Sequence, residues 1–137
     1  MIRILGIDVG TVRVGVALSD PLGMTAQPLE VIQAKGKSPY PRILELLGEY
    51  EVTKIVIGNP LKLSGEEGLA AENVARFIKG LQTRTEIPIE LWDERLSTAQ
   101  AERMMISAGT RRNKRRQSID KIAAALILQS YLDANPQ

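Results

Sequence analysis

Neither cysteine nor histidine occurs among the 137 residues of this chain. Their absence removes thiol nucleophiles, disulfides, structural zinc, imidazole general bases and any Ser-His-Asp relay. Chemistry here has to come from carboxylates, hydroxyls, lysine or arginine, and a bound metal has to accept hard oxygen ligands. Aromatic side chains are also scarce, with one Phe, one Trp and three Tyr, so recognition of single strands by base stacking has little to draw on. No apolar stretch approaches the length of a membrane span, and no membrane partner is expected. The start Met1-Ile2-Arg3-Ile4 enters a strand-like segment without an apolar leader core; with the missing cysteines, this points to the cytoplasm. Neither the P-loop pattern nor a complete Gly-x-Gly-x-x-Gly fingerprint is present.

What the chain does contain fits one domain over residues 1–137, with 44% hydrophobic and 25% charged residues, enough to bury a real core. The net charge of +2 hides an uneven distribution. Residues 1–110 carry 12 basic and 14 acidic side chains, a balance of −2, whereas residues 111–137 carry 6 basic and 2 acidic, a balance of +4. Most of that excess lies in Arg111-Arg112-Asn113-Lys114-Arg115-Arg116.

Residues 2–9 and 14–18 are apolar and rich in β-branched residues, and read as two strands joined by a tight turn over Gly10-Thr11-Val12-Arg13. Leu29–Ile32 can add a third strand, and Pro41 opens a helix with Ile43, Leu44, Leu46 and Leu47 on its apolar stripe. Lys54–Gly58 is a short continuous apolar run, as expected of a strand buried on both faces. Ala70, Val74, Phe77, Ile78 and Leu81 recur at helical spacing. Ile87–Trp92 reads as the next strand, Ser97 and Gln100 form a capping-box signal for a helix closed by Gly109, and a last helix is expected from about Ser118 to about Asp133. The order β-β-β-α-β-α-β-α-α predicts an α/β fold: a five-stranded mixed sheet, antiparallel over β1–β3 and then parallel through β4 and β5, with helices on both faces.

Acidic residues fall where apolar ones, or the end of a buried strand, belong. Asp8 shares its parity in the first strand with Ile4 and Gly6, so its carboxylate points to the same face as apolar neighbours. Asp120 precedes Ala123, Ala124, Ile127, Leu128 and Tyr131 by three, four, seven, eight and eleven residues, all one helix face. Asp93 and Glu94 end a strand at its carboxyl end, where open α/β sheets place their sites. Each has a plainer explanation alone: Asp8 as a turn residue before Gly10, Asp120 as a first-turn acid favoured by the helix dipole, and Asp93 and Glu94 as a solvated strand end paired with Arg95. Together these explanations weaken, because buried carboxylates that converge without a partner repel one another. Two Mg²⁺ or Mn²⁺ ions would neutralise them, and such a pair activates water and stabilises the leaving oxygen in phosphodiester cleavage. The basic run ends four residues before Asp120 and would hold a polyanion by sequence-independent phosphate contacts.

The segments Gly6-Ile7-Asp8-Val9-Gly10-Thr11-Val12-Arg13-Val14-Gly15, Gly58-Asn59-Pro60, Asp93-Glu94-Arg95-Leu96-Ser97-Thr98 and Ile119-Asp120-Lys121-Ile122-Ala123-Ala124 resemble the YqgF family, the Holliday junction resolvase-like proteins also described as pre-16S rRNA nucleases. The first segment also resembles the phosphate hairpin of actin-like ATPases, but those need two lobes and this length supplies one. The YqgF resemblance runs from the first strand to the last helix; Asn59, where many relatives carry Leu, is a mild departure. It implies a ribonuclease H-like fold and a bacterial cytoplasmic nuclease acting on the 5′ end of precursor 16S rRNA. Carried over by position, it makes Asp8, Glu94 and Asp120 the metal-binding catalytic residues, with Asp93 as an auxiliary ligand. Arg13 and Arg95 lie in the matching motifs, where they would contact phosphate or brace the acids, alongside Arg111, Arg112, Lys114, Arg115 and Arg116 as nucleic-acid-binding residues.

Two other readings stand beside this one: a junction resolvase acting on branched DNA, which requires a homodimer, and a non-catalytic module binding nucleic acid or ribosomal particles. The sequence leaves the choice between monomer and homodimer open.

Overall fold

The computed structural model describes residues 3–59, 69–93 and 112–137, with side chains in the last two stretches described from 71 and from 121. The strands are β1 (Ile4–Val9), β2 (Arg13–Ser19), β3 (Ala26–Gln33), β4 (Lys54–Asn59) and β5 (Ile89–Asp93). The helices are α1 (Tyr40–Glu49), α2 (Leu69–Gln82) and α3 (Arg112–Ala134). One sheet of order β3-β2-β1-β4-β5 contains all five strands. β1 pairs antiparallel with β2, and β2 with β3, while β1 with β4 and β4 with β5 are parallel.

This arrangement follows from the two connection types. The β1–β2 link is a tight turn in which the Gly10 amide donates to the Arg13 carbonyl at 2.9 Å, and short links of this kind give antiparallel neighbours. The links from β3 to β4 and from β4 to β5 pass through helices, and β4 and β5 accordingly run parallel to β1. β3 is longer than Leu29–Ile32 because Pro28, a residue central strands reject, sits on an edge strand beside an irregularity opposite Val16/Ala17.

Alternation along the strands sorts the core into two layers. Leu5, Ile7, Ile55 and Ile57 are fully buried in a cluster with α1 and α2, whose stripes are the expected ones: Ile43, Leu46 and Leu47 on α1, and Val74, Phe77 and Leu81 on α2. Ile4, Ala17 and Val56 turn the other way and pack under α3 against Ala124, Ile127 and Leu128. Helices therefore cover both faces.

Two expectations need correction or qualification. The last helix begins at Arg112, not near Ser118; Arg, Lys and Gln are good helix formers, so residues 112–116 belong to its first turns rather than to a loop. The helix expected from Ser97 to Gly109 lies outside the described residues. Among the described residues, no helix is long and apolar enough to cross a membrane.

Gln129 helps to pin α3 in register. Gln129 Oε1 accepts from the Ala26 amide at 2.9 Å, and its Nε2 donates to the Met24 carbonyl at 3.0 Å and to Asp133 Oδ1 at 2.9 Å. These bonds tie the helix to the β2–β3 turn, which Asp20 Oδ1 closes by accepting the Met24 and Thr25 amides.

Candidate active site

Asp8 is a strand residue, not a turn residue. It lies in β1 directly opposite Gly15 of β2 and is half-buried. Its face is the one covered by α3, since Ile4 on the same parity packs there. The β1–β4 register pairs Gly6 with Val56 and Ile7 with Ile57; continued by one residue, it sets Gly58 beside Asp8. Gly6, Gly15 and Gly58 are all buried. Before, and on either side of, Asp8 the sheet face therefore carries no side chains of its own. Glycine inside a strand weakens it and marks a close approach of something else. Here one such approach is visible: a methyl on Gly6 would come within 2.8 Å of Leu128 Cβ and 3.2 Å of the Ala124 carbonyl.

That contact orients α3. Tyr131 meets Lys54 at the start of β4, Leu128 meets Gly6, and so the helix runs antiparallel to β1. From Gly6 to Asp8 is about 6.6 Å along the strand, and from Ala124 back to Asp120 is about 6 Å along the helix. Counted from Ala124 or from Leu128, the backbone of position 120 falls within about one helical turn of the level of Asp8.

β5 delivers its carboxyl end to the same place. Gly58 pairs with Trp92 and Asn59 with Asp93, so Trp92 is level with Asp8. Trp92 packs in the α3 layer, its ring edge-on to Tyr131 at 5.4 Å and its Nε1 donating to Ser130 Oγ at 3.0 Å. Asp93 has the parity of Leu91 and Ile89, and Ile89 packs against the opposite layer; Asp93 is exposed, on the face away from Asp8. Glu94, Arg95 and Arg111 lie outside the described residues. Arg112, Lys114, Arg115 and Arg116 are placed as backbone in the first turns of α3. Arg13 opens β2 with the parity of Gly15, half-buried, two residues beyond the position opposite Asp8.

Beneath this end Lys54 binds α3 to the sheet: its Nζ donates to the Tyr131 hydroxyl and to Glu90 Oε1, the latter at 3.3 Å. The Tyr131 hydrogen bond holds the Lys54 ammonium above its usual range, with Glu90 adding to the effect against partial desolvation.

Sequence patterning found Asp8 and the α3 face, but it missed Gly15 and Gly58. The signal was available as isolated glycines within strand patterns, though only strand register shows that they flank one carboxylate. The Trp92–Ser130 and Lys54–Tyr131 bonds had no sequence signal. Among the described residues no three acids form a metal cluster, and the side chain of Asp8 is the one described among Asp8, Glu94 and Asp120.

The family whose description is RuvX, Holliday junction resolvase, matches residues 2–134. This chain belongs to that family. The match bears out the resemblance drawn from the motifs. Relatives bearing the name "putative pre-16S rRNA nuclease" include one from Geobacillus sp. (strain WCH70), 50% identical over 135 residues covering 96% of this chain and 98% of that protein. Another, from Desulforamulus reducens, is 48% identical over 133 residues, covering 96% and 97%. Among solved structures, RuvC of T. thermophilus in complex with a Holliday junction substrate superposes with a TM-score of 0.59 at 17% identity, covering 99% of this chain and 97% of that one. The Fowlpox virus resolvase bound to a Holliday junction gives 0.58 at 13% identity, covering 99% and 100%. At such identities the likeness establishes the fold, which is ribonuclease H-like.

Proposed function

We propose that this RuvX-family protein is a metal-dependent nuclease that hydrolyses RNA phosphodiester bonds, with precursor 16S rRNA trimmed at its 5′ end as substrate. The observation that carries this reading is Asp8: a carboxylate on the helix-covered face of a central strand, bordered by three glycines, with α3 bringing the backbone of Asp120 within about one helical turn of its level. The relatives' names add the RNA substrate.

Asp8, Glu94 and Asp120 would hold Mg²⁺ or Mn²⁺; Asp93, the auxiliary ligand the resemblance offered, faces away from Asp8 and is left out of the set. The donor set fits: carboxylate oxygens suit hard divalent cations, and no His or Cys competes for softer metals. The glycine border keeps side chains of the sheet away from the Asp8 carboxylate. Asp93 has the parity of Ile89, on the face away from Asp8, and the family motif names Glu94 as the β5 ligand. A pair of such cations, when bound, supplies an activated water and charge stabilisation at the leaving oxygen. The protein's own contribution is placement: the β1–β4 and β4–β5 pairings and the Trp92–Ser130 bond fix the carboxyl end of β5 beside β1 and α3. Arg13, Arg95 and the basic first turns of α3 neutralise phosphates around the scissile bond.

The test is cleavage of a precursor 16S rRNA fragment with Mg²⁺ or Mn²⁺. Wild type should cleave, while Asp8→Asn and Asp120→Asn, folded as wild type, should lose activity by at least ~100-fold; undiminished cleavage in either variant sinks the site.

The family's description favours a second reading, a Holliday junction resolvase acting on DNA. It requires two sites on one junction, hence a homodimer. A protein monomeric at working concentration and inert on four-way junctions disposes of it.

A further inference from the structure

The end of the sheet that holds Asp8 has a second basic element besides α3. β1 runs toward Val9, β2 starts at Arg13, and β3, antiparallel to β2, finishes at Gln33 opposite Arg13. The turn at 10–13 and the loop at 34–39 therefore lie together, and the Ala34 amide donates to the Val12 carbonyl at 2.8 Å to tie them. Between them they carry Arg13, Lys35 and Lys37 and no acid, a charge of +3. At the opposite end of the sheet the loops 20–25, 50–53 and 83–88 hold Asp20, Glu51 and Glu86 against Arg84, a charge of −2. Lys35 and Lys37 are both exposed. The residue between them, Gly36, has φ +73° and open space where a side chain would be, so the chain turns at a point only glycine tolerates well.

We infer that Lys35 and Lys37 bind the phosphate backbone of the nucleic acid substrate, at the β3 edge of the end of the sheet that holds Asp8. This rests on the nuclease reading above and extends it with a second anchor for the same strand or duplex. Strands lie about 4.8 Å apart and rise about 3.3 Å per residue. Two strands across and four residues along from the level of Asp8, Lys35 Cα lies roughly 16 Å from Asp8 Cα. That exceeds the reach of a lysine side chain to a phosphate held at Asp8, so the contacts fall on flanking phosphates. Lysine suits this role, because a hydrated point charge on a flexible stem neutralises phosphate without demanding a base or a fixed geometry. With the basic first turns of α3 at the same end of the sheet, the substrate has two positive anchors beside Asp8.

The experiment is a salt titration of the binding of a labelled RNA duplex to the full chain, without divalent metal, over about 50–200 mM salt. Each lost phosphate contact lowers the log–log slope by about 0.9. The Lys35→Ala/Lys37→Ala variant should lower it by about 1.8, so that the affinity lost across that range shrinks about twelve-fold. Lys35→Arg/Lys37→Arg should keep the wild-type slope, and Lys79→Ala, on the exposed side of α2, should leave it unchanged. An alanine variant that melts like wild type and shows the wild-type slope overturns this inference alone if wild type still binds and cleaves. Wild-type protein that neither binds RNA nor cleaves it overturns the nuclease reading.

Discussion

Replacing Gly6 by alanine tests how the fold builds the site. By propensity alone the change should help, because glycine in a strand interior costs roughly 0.5–1 kcal/mol relative to alanine. Packing reverses the sign. The new methyl would lie 2.8 Å from Leu128 Cβ and 3.2 Å from the Ala124 carbonyl, whereas carbon atoms settle at about 3.5–4.0 Å. Leu128 Cβ and the Ala124 carbonyl are fixed to the helix and cannot rotate away, so α3 has to retreat by roughly 0.7–1 Å. Overpacking of this kind costs about 1–3 kcal/mol. At roughly 3–5 °C per kcal/mol for a domain of this size, the midpoint should fall by about 3–15 °C. Activity should fall further than stability explains, because Asp8 and Asp120 ride on the two elements being separated and ligands tolerate only about 0.2 Å of misplacement. The assay pairs thermal unfolding with single-turnover cleavage well below the midpoint. Gly48→Ala is the control: it lies in α1 with nothing within 4 Å of the added methyl and should stabilise by about 0.4–1 kcal/mol. A Gly6→Ala protein with wild-type midpoint and full cleavage would refute the close packing of α3 on β1.

Two further expectations concern pH. The folded Lys54 has its pKa above the ordinary 10.5, so its contribution is complete below that pH and is lost as pH rises through the higher folded value. Urea midpoints at about pH 8 and about pH 11 should converge between wild type and Lys54→Met; a constant gap contradicts the Lys54–Tyr131 tie. Asp20 behaves oppositely: the Thr25 and Met24 amides hold its pKa below 3.8, so the β2–β3 turn is secured above 3.8 and loosens as pH falls through the lower folded value. The amide resonances of Met24 and Thr25 should titrate with a midpoint below 3.8, and one at or above it contradicts the capping.

The five strands, their mixed pairing and both helix-covered faces were legible because alternation and helical spacing are carried by many residues at once, whereas the place of β4 beside β1 was not. Ile4, Gly6 and Asp8 share parity in any strand, whatever surrounds them. The start of α3 was not legible, because a basic run of good helix formers looks the same in a loop as in a first turn. That Asp93 lies on the face away from Asp8 follows from strand pairing and packing, which the sequence 89–93 does not reveal. Gly15 and Gly58 gained meaning only once the register set them on either side of Asp8. The loop lysines illustrate the same point from the surface: nothing in Lys35-Gly36-Lys37 alone reveals that it lies beside Arg13.

The nuclease reading stands or falls with Asp8 and Asp120 holding divalent cations together, and the unfolding midpoint as Mn²⁺ is added reports on that without requiring a substrate. Ligand that binds the folded state alone stabilises it by about 2.7 kcal/mol at ~100-fold excess over its Kd. Wild type should show a rise of that order, and Asp8→Asn and Asp120→Asn should each lose most of it. A wild-type midpoint indifferent to Mn²⁺, or an equal rise in all three proteins, would contradict a shared cation site.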